Sequence, residues 1–164
     1  MRVKVLWFGR PGRSPYESII ADYRRRVGRR WPAEDLPLKP AGGGRGSDPG
    51  RALAAEAASL RRHLLQGWEH VLLDERGRGV DSVELASILK DLEGRSVEGV
   101  TFVVGSDLGV DPQVRHECQL CLALSRLTLP HLIARLVLWE QLFRATHILE
   151  GGAYHRSDVQ YNRT

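Results

Sequence analysis

A chain of 164 residues, 42% hydrophobic and 27% charged, is long enough to bury one core and gives no reason to divide, so one domain spanning residues 1–164 is expected. No apolar run reaches membrane-spanning length, and "MRVKVLWFG" meets a Gly-containing turn too early for a signal peptide, so a soluble cytoplasmic protein without a membrane partner is expected. A net charge of +4 and a pI near 9.4 favour an anionic partner, although many proteins with this modest excess bind none.

In chain order, "VKVLWFG" (Val3 to Gly9) is β-rich and closes on glycine, and "PYESIIADYRRRV" carries Ile19, Ile20, Tyr23 and Val27 at helical spacing behind Ser14 and Pro15. The helix runs into "YRRRVGRRW", where Arg24, Arg25, Arg26, Arg29 and Arg30 lie between Tyr23 and Trp31. That composition offers charge for phosphates and rings for bases, or else simply a solvated helix face. "LPLKPA" (Leu36 to Ala41) reads as a short strand opening into the Gly-rich loop "GGGRGSDPG". "RALAAEAASLRRHLLQG" follows as a helix closed by Gly67. "HVLLDERGRG" is a strand and its turn, and "DSVELASILKDLEG" a helix with Asp81 or Ser82 as cap and Gly94 at its end. "VTFVVG" (Val100 to Gly105) is apolar almost throughout, as a strand buried on both faces requires. "DPQVRHECQLCLAL" reads as a helix, "SRLTLP" as a short strand or loop, and "HLIARLVLWEQLFRATHILEG" as the final helix.

The alternation of strands and helices implies an α/β fold, a mostly parallel sheet with helices on both faces, and ligands at the carboxyl ends of strands. "GGGRG" lacks the Lys-Ser/Thr of a P-loop, and "FGRPGRS" is too sparse for a dinucleotide fingerprint. "VVGSDLG" is a better ligand loop, because Gly105 and Gly109 permit close backbone approach around Asp107. "LSRLTLPH" places hydroxyls and a proline before the last helix, either as helix-start grammar or as a loop whose backbone groups hold a ligand. Cys118 and Cys121 read as two buried helix thiols. With His116 they make no tetrahedral cage, and no metal is expected. The final helix carries Leu132, Leu136, Trp139 and Phe143 on one stripe, with Ile133, Val137 and Leu138 extending apolar character round the cylinder. Such a helix is buried nearly everywhere, either between the sheet and a second copy of the chain or as the central core helix of a monomer, and on the dimer reading Trp139 is the position at which an aspartate should split it.

"YESIIADYRRRV", "LPLKPAGGGRG" before a long helix, "VLLDERGRGVDSVELA", "FVVGSDLGV", "LSRLTLPHLIARLVLWEQLFRA" and "YHR" at 154–156 together resemble the ribosomal large-subunit RNA methyltransferase H family, the pseudouridine-N-methylating branch of the SPOUT superfamily, over almost the whole chain. The resemblance implies a C-terminal trefoil knot, a homodimer, and S-adenosyl-L-methionine bound bent within the knot. It also implies methyl transfer to a ring nitrogen, N3, of a pseudouridine in large-subunit (23S) rRNA, with the 70S ribosome as partner. Donor contacts carried over by position are Leu73, Gly105, Ser106, Ser125, Arg126, Leu127, Thr128, Leu129 and Pro130. On the target side the resemblance points to His155 as proton acceptor, Arg156 for phosphate or base orientation, and Tyr154 for packing. His131 is expected either to hydrogen-bond as a neutral ring at a helix start or to brace the loop.

In one position this chain departs from the family, which usually has Gly-Gly where Gly105-Ser106 stands. If the second position needs positive φ, serine is strained there. The alternative reading is then a non-catalytic RNA-binding relative with weakened donor binding. A Rossmann-type small-molecule methyltransferase is disfavoured by the missing N-terminal glycine fingerprint. The eight residues after "YHR", Ser157 to Thr164, are expected to be a polar tail that orders only on the ribosome.

Overall fold

The computed structural model describes residues 1–12, 14–41 and 48–151. Among these residues five strands and five helices follow one another: β1 (Arg2–Phe8), α1 (Glu17–Val27), β2 (Ala33–Leu38), α2 (Pro49–Arg61), β3 (Trp68–Gly79), α3 (Ser82–Gly94), β4 (Gly99–Val104), α4 (Pro112–Glu117), β5 (Leu120–Ala123) and α5 (His131–Leu149). The strands form one sheet in the order β2-β1-β4-β3-β5, and every pairing is parallel.

Alternation along the strands sorts their side chains into two cores. Val3, Val5 and Trp7 of β1, Val100, Phe102 and Val104 of β4, and Val71 of β3 face α1, α3 and α5. Leu6, Phe8, Val103 and Leu72 face α2 and α4, packing with Ala57, Leu60 and Val114. Helices therefore cover both faces, and β4, central and wholly buried, is the two-sided strand its composition predicts.

Local chemistry explains several boundaries. Asp81 caps α3, accepting from the Val83 and Glu84 N–H groups while Glu84 reaches back to the Asp81 N–H, a reciprocal capping box. Asp48 before Pro49 and Asp111 before Pro112 start α2 and α4 in the same manner, each accepting from an N–H two residues on.

Three expectations are corrected. The helix expected over "DPQVRHECQLCLAL" stops at Glu117, and Leu120–Ala123 is a fifth strand hydrogen-bonded to β3. So short an apolar run has no periodicity of its own, and the open edge of β3 decides its state. The cysteines are accordingly not helix thiols: Cys118 is the extended residue that ends α4, Cys121 lies in β5, and both are half-buried and free. Burial pushes the Cys118 thiol up to about 11, which keeps it protonated. Second, β2 occupies Ala33–Leu38 rather than Leu36 to Ala41. It is an edge strand, where Pro37 is tolerated without a ladder N–H. Third, α2 ends at Arg61, and Gly67, at φ +80°, serves the turn into β3 instead of capping a helix.

α5 has no exposed side chain along its length. Its deepest charged residue, Arg135, is 2% exposed and reaches Asp35 of β2 and both carboxylate oxygens of Glu17 at the start of α1, at 2.8 and 3.0 Å. The guanidinium lies 3.7 Å from the centre of the Trp7 ring, and the Trp139 indole N–H donates to the same Asp35 at 2.8 Å. A charge at this depth requires such pairing, and the pairing ties α5 to α1 and to the far edge of the sheet.

Candidate active site

At the carboxyl ends of β3, β4 and β5 a cavity of about 640 Å³ opens, walled by Leu73 to Arg76, by Val104 to Val110, and by the segment from Leu124 into the first turn of α5. Each wall has a local cause. In β3, Leu73 and Arg78 both face Leu122 of β5, so the residues between them bulge out of the ladder toward the cavity. Gly77 allows the strand to return, since a Cβ there would stand 2.6 Å from the Leu122 carbonyl carbon. Asp74 holds the bulge in shape. It accepts from the Arg76 backbone N–H at 2.8 Å, from the Arg76 guanidinium, and from Arg115 of α4 at 2.8 Å. The Arg76 hydrogen bonds, which outweigh the opposing effect of burial, hold its carboxyl below the ordinary Asp value of 3.8.

The wall after β4 is a tight turn about Gly105, where a Cβ would come within 2.8 Å of Val110 Cγ2 and 2.9 Å of the Gly109 carbonyl oxygen. Gly109 takes φ +83° and donates its N–H to the Ser106 carbonyl at 2.9 Å. Among the described residues, Ser96 is the non-glycine residue at positive φ, so the strain considered for Ser106 does not arise. Its hydroxyl instead donates to Glu56 Oε2 at 2.7 Å and accepts from the Leu108 N–H at 3.1 Å.

The third wall, Leu124 to Pro130, belongs to no strand or helix. Its backbone is therefore not consumed by a ladder, although the Leu127 N–H is taken by Ser125 Oγ at 2.9 Å. Two contacts span the walls. The Thr128 hydroxyl donates to Glu75, and His131 Nδ1 lies 2.8 Å from Asp107 Oδ1. This geometry fits the bracing role for His131, with α5 tied at its first residue to the turn after β4.

Of the expected donor contacts, Leu73, Gly105, Ser106, Ser125, Leu127, Thr128, Leu129 and Pro130 all line this cavity. Arg126 is exposed and outside the lining. Tyr154, His155 and Arg156, with the segment Ser157 to Thr164, lie outside the described residues. Sequence reasoning missed the Glu75 to Thr128 contact, because two residues 53 apart leave no shared periodicity.

The basic stretch is only partly what its composition implies. Trp31 is 1% exposed, with its N–H on Glu93 at 3.0 Å, and Tyr23 packs on Phe143, so neither ring is presented to a base. Arg25 and Arg26 pair with Asp22, and Arg30 with Glu93 and Glu150, while Arg24 and Arg29 are exposed on the outer face.

The family described as "Predicted SPOUT methyltransferase" matches residues 1–155. Among curated relatives, the protein named "Ribosomal RNA large subunit methyltransferase H" from Rhodopseudomonas palustris (strain BisB5) is 35% identical over 160 residues, covering 96% of this chain and 100% of the relative. Proteins of the same name from Gloeobacter violaceus and from Neisseria meningitidis serogroup C (strain 053442) are 39% and 36% identical, over 94% and 95% of this chain and 99% of each relative. With a parallel α/β sheet, a cavity at its carboxyl edge and similarity that runs nearly end to end, the chain belongs to the SPOUT methyltransferases, in the group of the large-subunit ribosomal RNA methyltransferase H proteins.

Proposed function

We propose that the chain transfers a methyl group from S-adenosyl-L-methionine to ring nitrogen N3 of a pseudouridine in large-subunit (23S) rRNA, acting in the cytoplasm as a homodimer on the 70S ribosome. The observation that carries the donor site is the convergence of Leu73, Gly105-Ser106, Ser125 and Leu127 to Pro130 on one cavity. Its volume is in the range of about 300–1,000 Å³ typical of small-molecule sites, and its lining mixes aliphatic side chains with polar groups. The two glycine positions that keep the turn after β4 close and free of side chain suit a ligand read by backbone, and the β5–α5 segment, threaded as a trefoil knot, is the expected seat of that ligand.

The donor's sulfonium supplies an already activated methyl group. The chain's work is orientation and proton management. Leu73, Leu127 and Leu129 offer apolar walls for a purine, while Glu75 with Thr128 and Asp107 with His131 tie the walls together. His155 is assigned the proton of the target nitrogen, Arg156 the orientation of phosphate or base, and Tyr154 a packing role on the target side. A second copy applies its own α5 along the outward stripe that contains Ile133 and Val137. Exposed Arg24 and Arg29 add a basic face for rRNA phosphate.

The deciding assay incubates purified protein and labelled donor with ribosomes from a strain lacking the gene, followed by nucleoside analysis of the large-subunit RNA. Label on one pseudouridine is expected, and none with Gly105→Val, whose side chain collides with Val110 and the Gly109 backbone. Donor binding without any rRNA label on ribosomes or free subunits would leave an RNA-binding relative in place of the enzyme.

A further inference from the structure

We propose that Glu56 is a positioning residue for the methyl-donor loop, setting the backbone of Gly105 to Gly109 through the hydroxyl of Ser106. The inference rests on the reading that this loop contacts the donor.

Glu56 lies on the inward stripe of α2 with Ala52 and Leu60, at i, i+4 spacing, and is 3% exposed. Nothing about covering a sheet calls for a carboxylate there, and burying one without hydrogen-bond donors is costly. Among the described residues its donors are neutral: the Ala41 N–H at 3.0 Å to Oε1 and the Ser106 hydroxyl at 2.7 Å to Oε2. A serine hydroxyl has one proton and two lone pairs. Giving the proton to Glu56 points a lone pair at the Leu108 N–H, 3.1 Å away, while the carbonyl of the same serine accepts from Gly109. One buried carboxylate thus orients the hydroxyl, the hydroxyl orients the N–H of Leu108, and the turn closes with its backbone toward the cavity.

The hydroxyl's proton is committed to Glu56 and one of its lone pairs to Leu108, so its role here is to hold the loop. A glycine at position 106 would have neither hydroxyl contact. At its other oxygen Glu56 fixes Ala41, three residues beyond the end of β2, so the same group also anchors the chain after β2. A hydrogen bond to a charged acceptor is stronger than a neutral one, which makes glutamate better suited than glutamine to hold both segments.

The test measures donor affinity by calorimetry, donor KM and kcat on ribosomes from a strain lacking the gene, and thermal midpoint, for the full-length wild type, Glu56→Ala, Glu56→Gln, Ser106→Ala and the Glu56→Ala/Ser106→Ala pair. Glu56→Ala is expected to weaken S-adenosylmethionine binding about tenfold, the loss of one charge-assisted hydrogen bond, and to raise donor KM in step while kcat at saturating donor stays within about twofold. Ser106→Ala should follow in the same direction, and the pair should lose less than the sum of the two single losses, because the Glu56–Ser106 bond cannot be lost twice. Glu56→Gln should recover part of the affinity. Unchanged affinity in Ser106→Ala, or additive losses in the pair, would overturn the inference even if Glu56→Ala fails to fold. A lowered thermal midpoint with wild-type affinity would reduce Glu56 to a structural role. Absence of donor binding by the wild type would instead overturn the proposed function, and is distinguishable from each of these.

Discussion

Asp74 accepts hydrogen bonds from the backbone and guanidinium of Arg76 and from Arg115, and through them one carboxylate keeps the β3 bulge against the cavity. Because its folded value is depressed, its contribution to stability is complete above the ordinary Asp value of 3.8 and drains away as pH falls through the lower folded value. Asp74→Asn keeps the shape and removes the charge. It should cost about 1–3 kcal/mol at neutral pH, as loss of hydrogen bonds to a charged group does. The gap to wild type should close in acid, with urea midpoints compared at neutral pH and near pH 3. A gap of constant size across that range would mean that the Asp74 charge contributes nothing to the fold.

The helix α5 shows why an element's pattern and its partners are separate questions. Trp139 is 0% exposed within one chain and hydrogen-bonded to Asp35, so Trp139→Asp is expected to unfold the protein rather than split a dimer, contrary to its place on the apolar stripe. Ile133→Asp and Val137→Asp, on half-buried positions of the outward face, should instead halve the mass by light scattering while far-UV circular dichroism stays native. A wild-type monomer at micromolar concentration would retire the dimer and any shared site. β1, α1, α3, β4 and α5 were legible from periodicity, capping residues and apolar runs, because each carries its signal within its own length. β5 was not, since four residues become a strand only where β3 offers an edge. The loops that line the cavity were legible through the glycines and the motif resemblance. Its cross-links, Glu75 to Thr128 and Glu56 to Ser106, join residues more than fifty positions or about that far apart in the chain, where no local pattern can announce them.

For the molecule as a whole, donor and target chemistry are expected to be separable. The cavity walls proposed for the donor come from β3, β4 and the β5–α5 segment, whereas the candidates for proton transfer, His155 and Arg156, come later in the chain. The double substitution His155→Ala/Arg156→Ala should abolish methyl transfer to ribosomes and leave the donor dissociation constant within about threefold, well under the tenfold that 1.4 kcal/mol represents. Deletion of Ser157 to Thr164 should weaken ribosome affinity only modestly. Normal turnover by the double variant would remove His155 and Arg156 from the mechanism.

Arg135 bonds to Asp35 across 100 positions of sequence and to Glu17 across 118. During synthesis, therefore, α1 and β2 leave the ribosome long before the cation that neutralises their carboxylates exists, and Trp7 lacks the guanidinium that covers its ring. Contacts this distant must wait for slow loop closure. Folding of the first strands is thus expected to be late, with their apolar side chains left uncovered until α5 arrives. A fragment of residues 1–130 should remain uncooperative in urea and sensitive to protease, and adding a peptide of residues 131–151 should restore a sigmoidal transition, whereas the same peptide with Arg135→Ala should not.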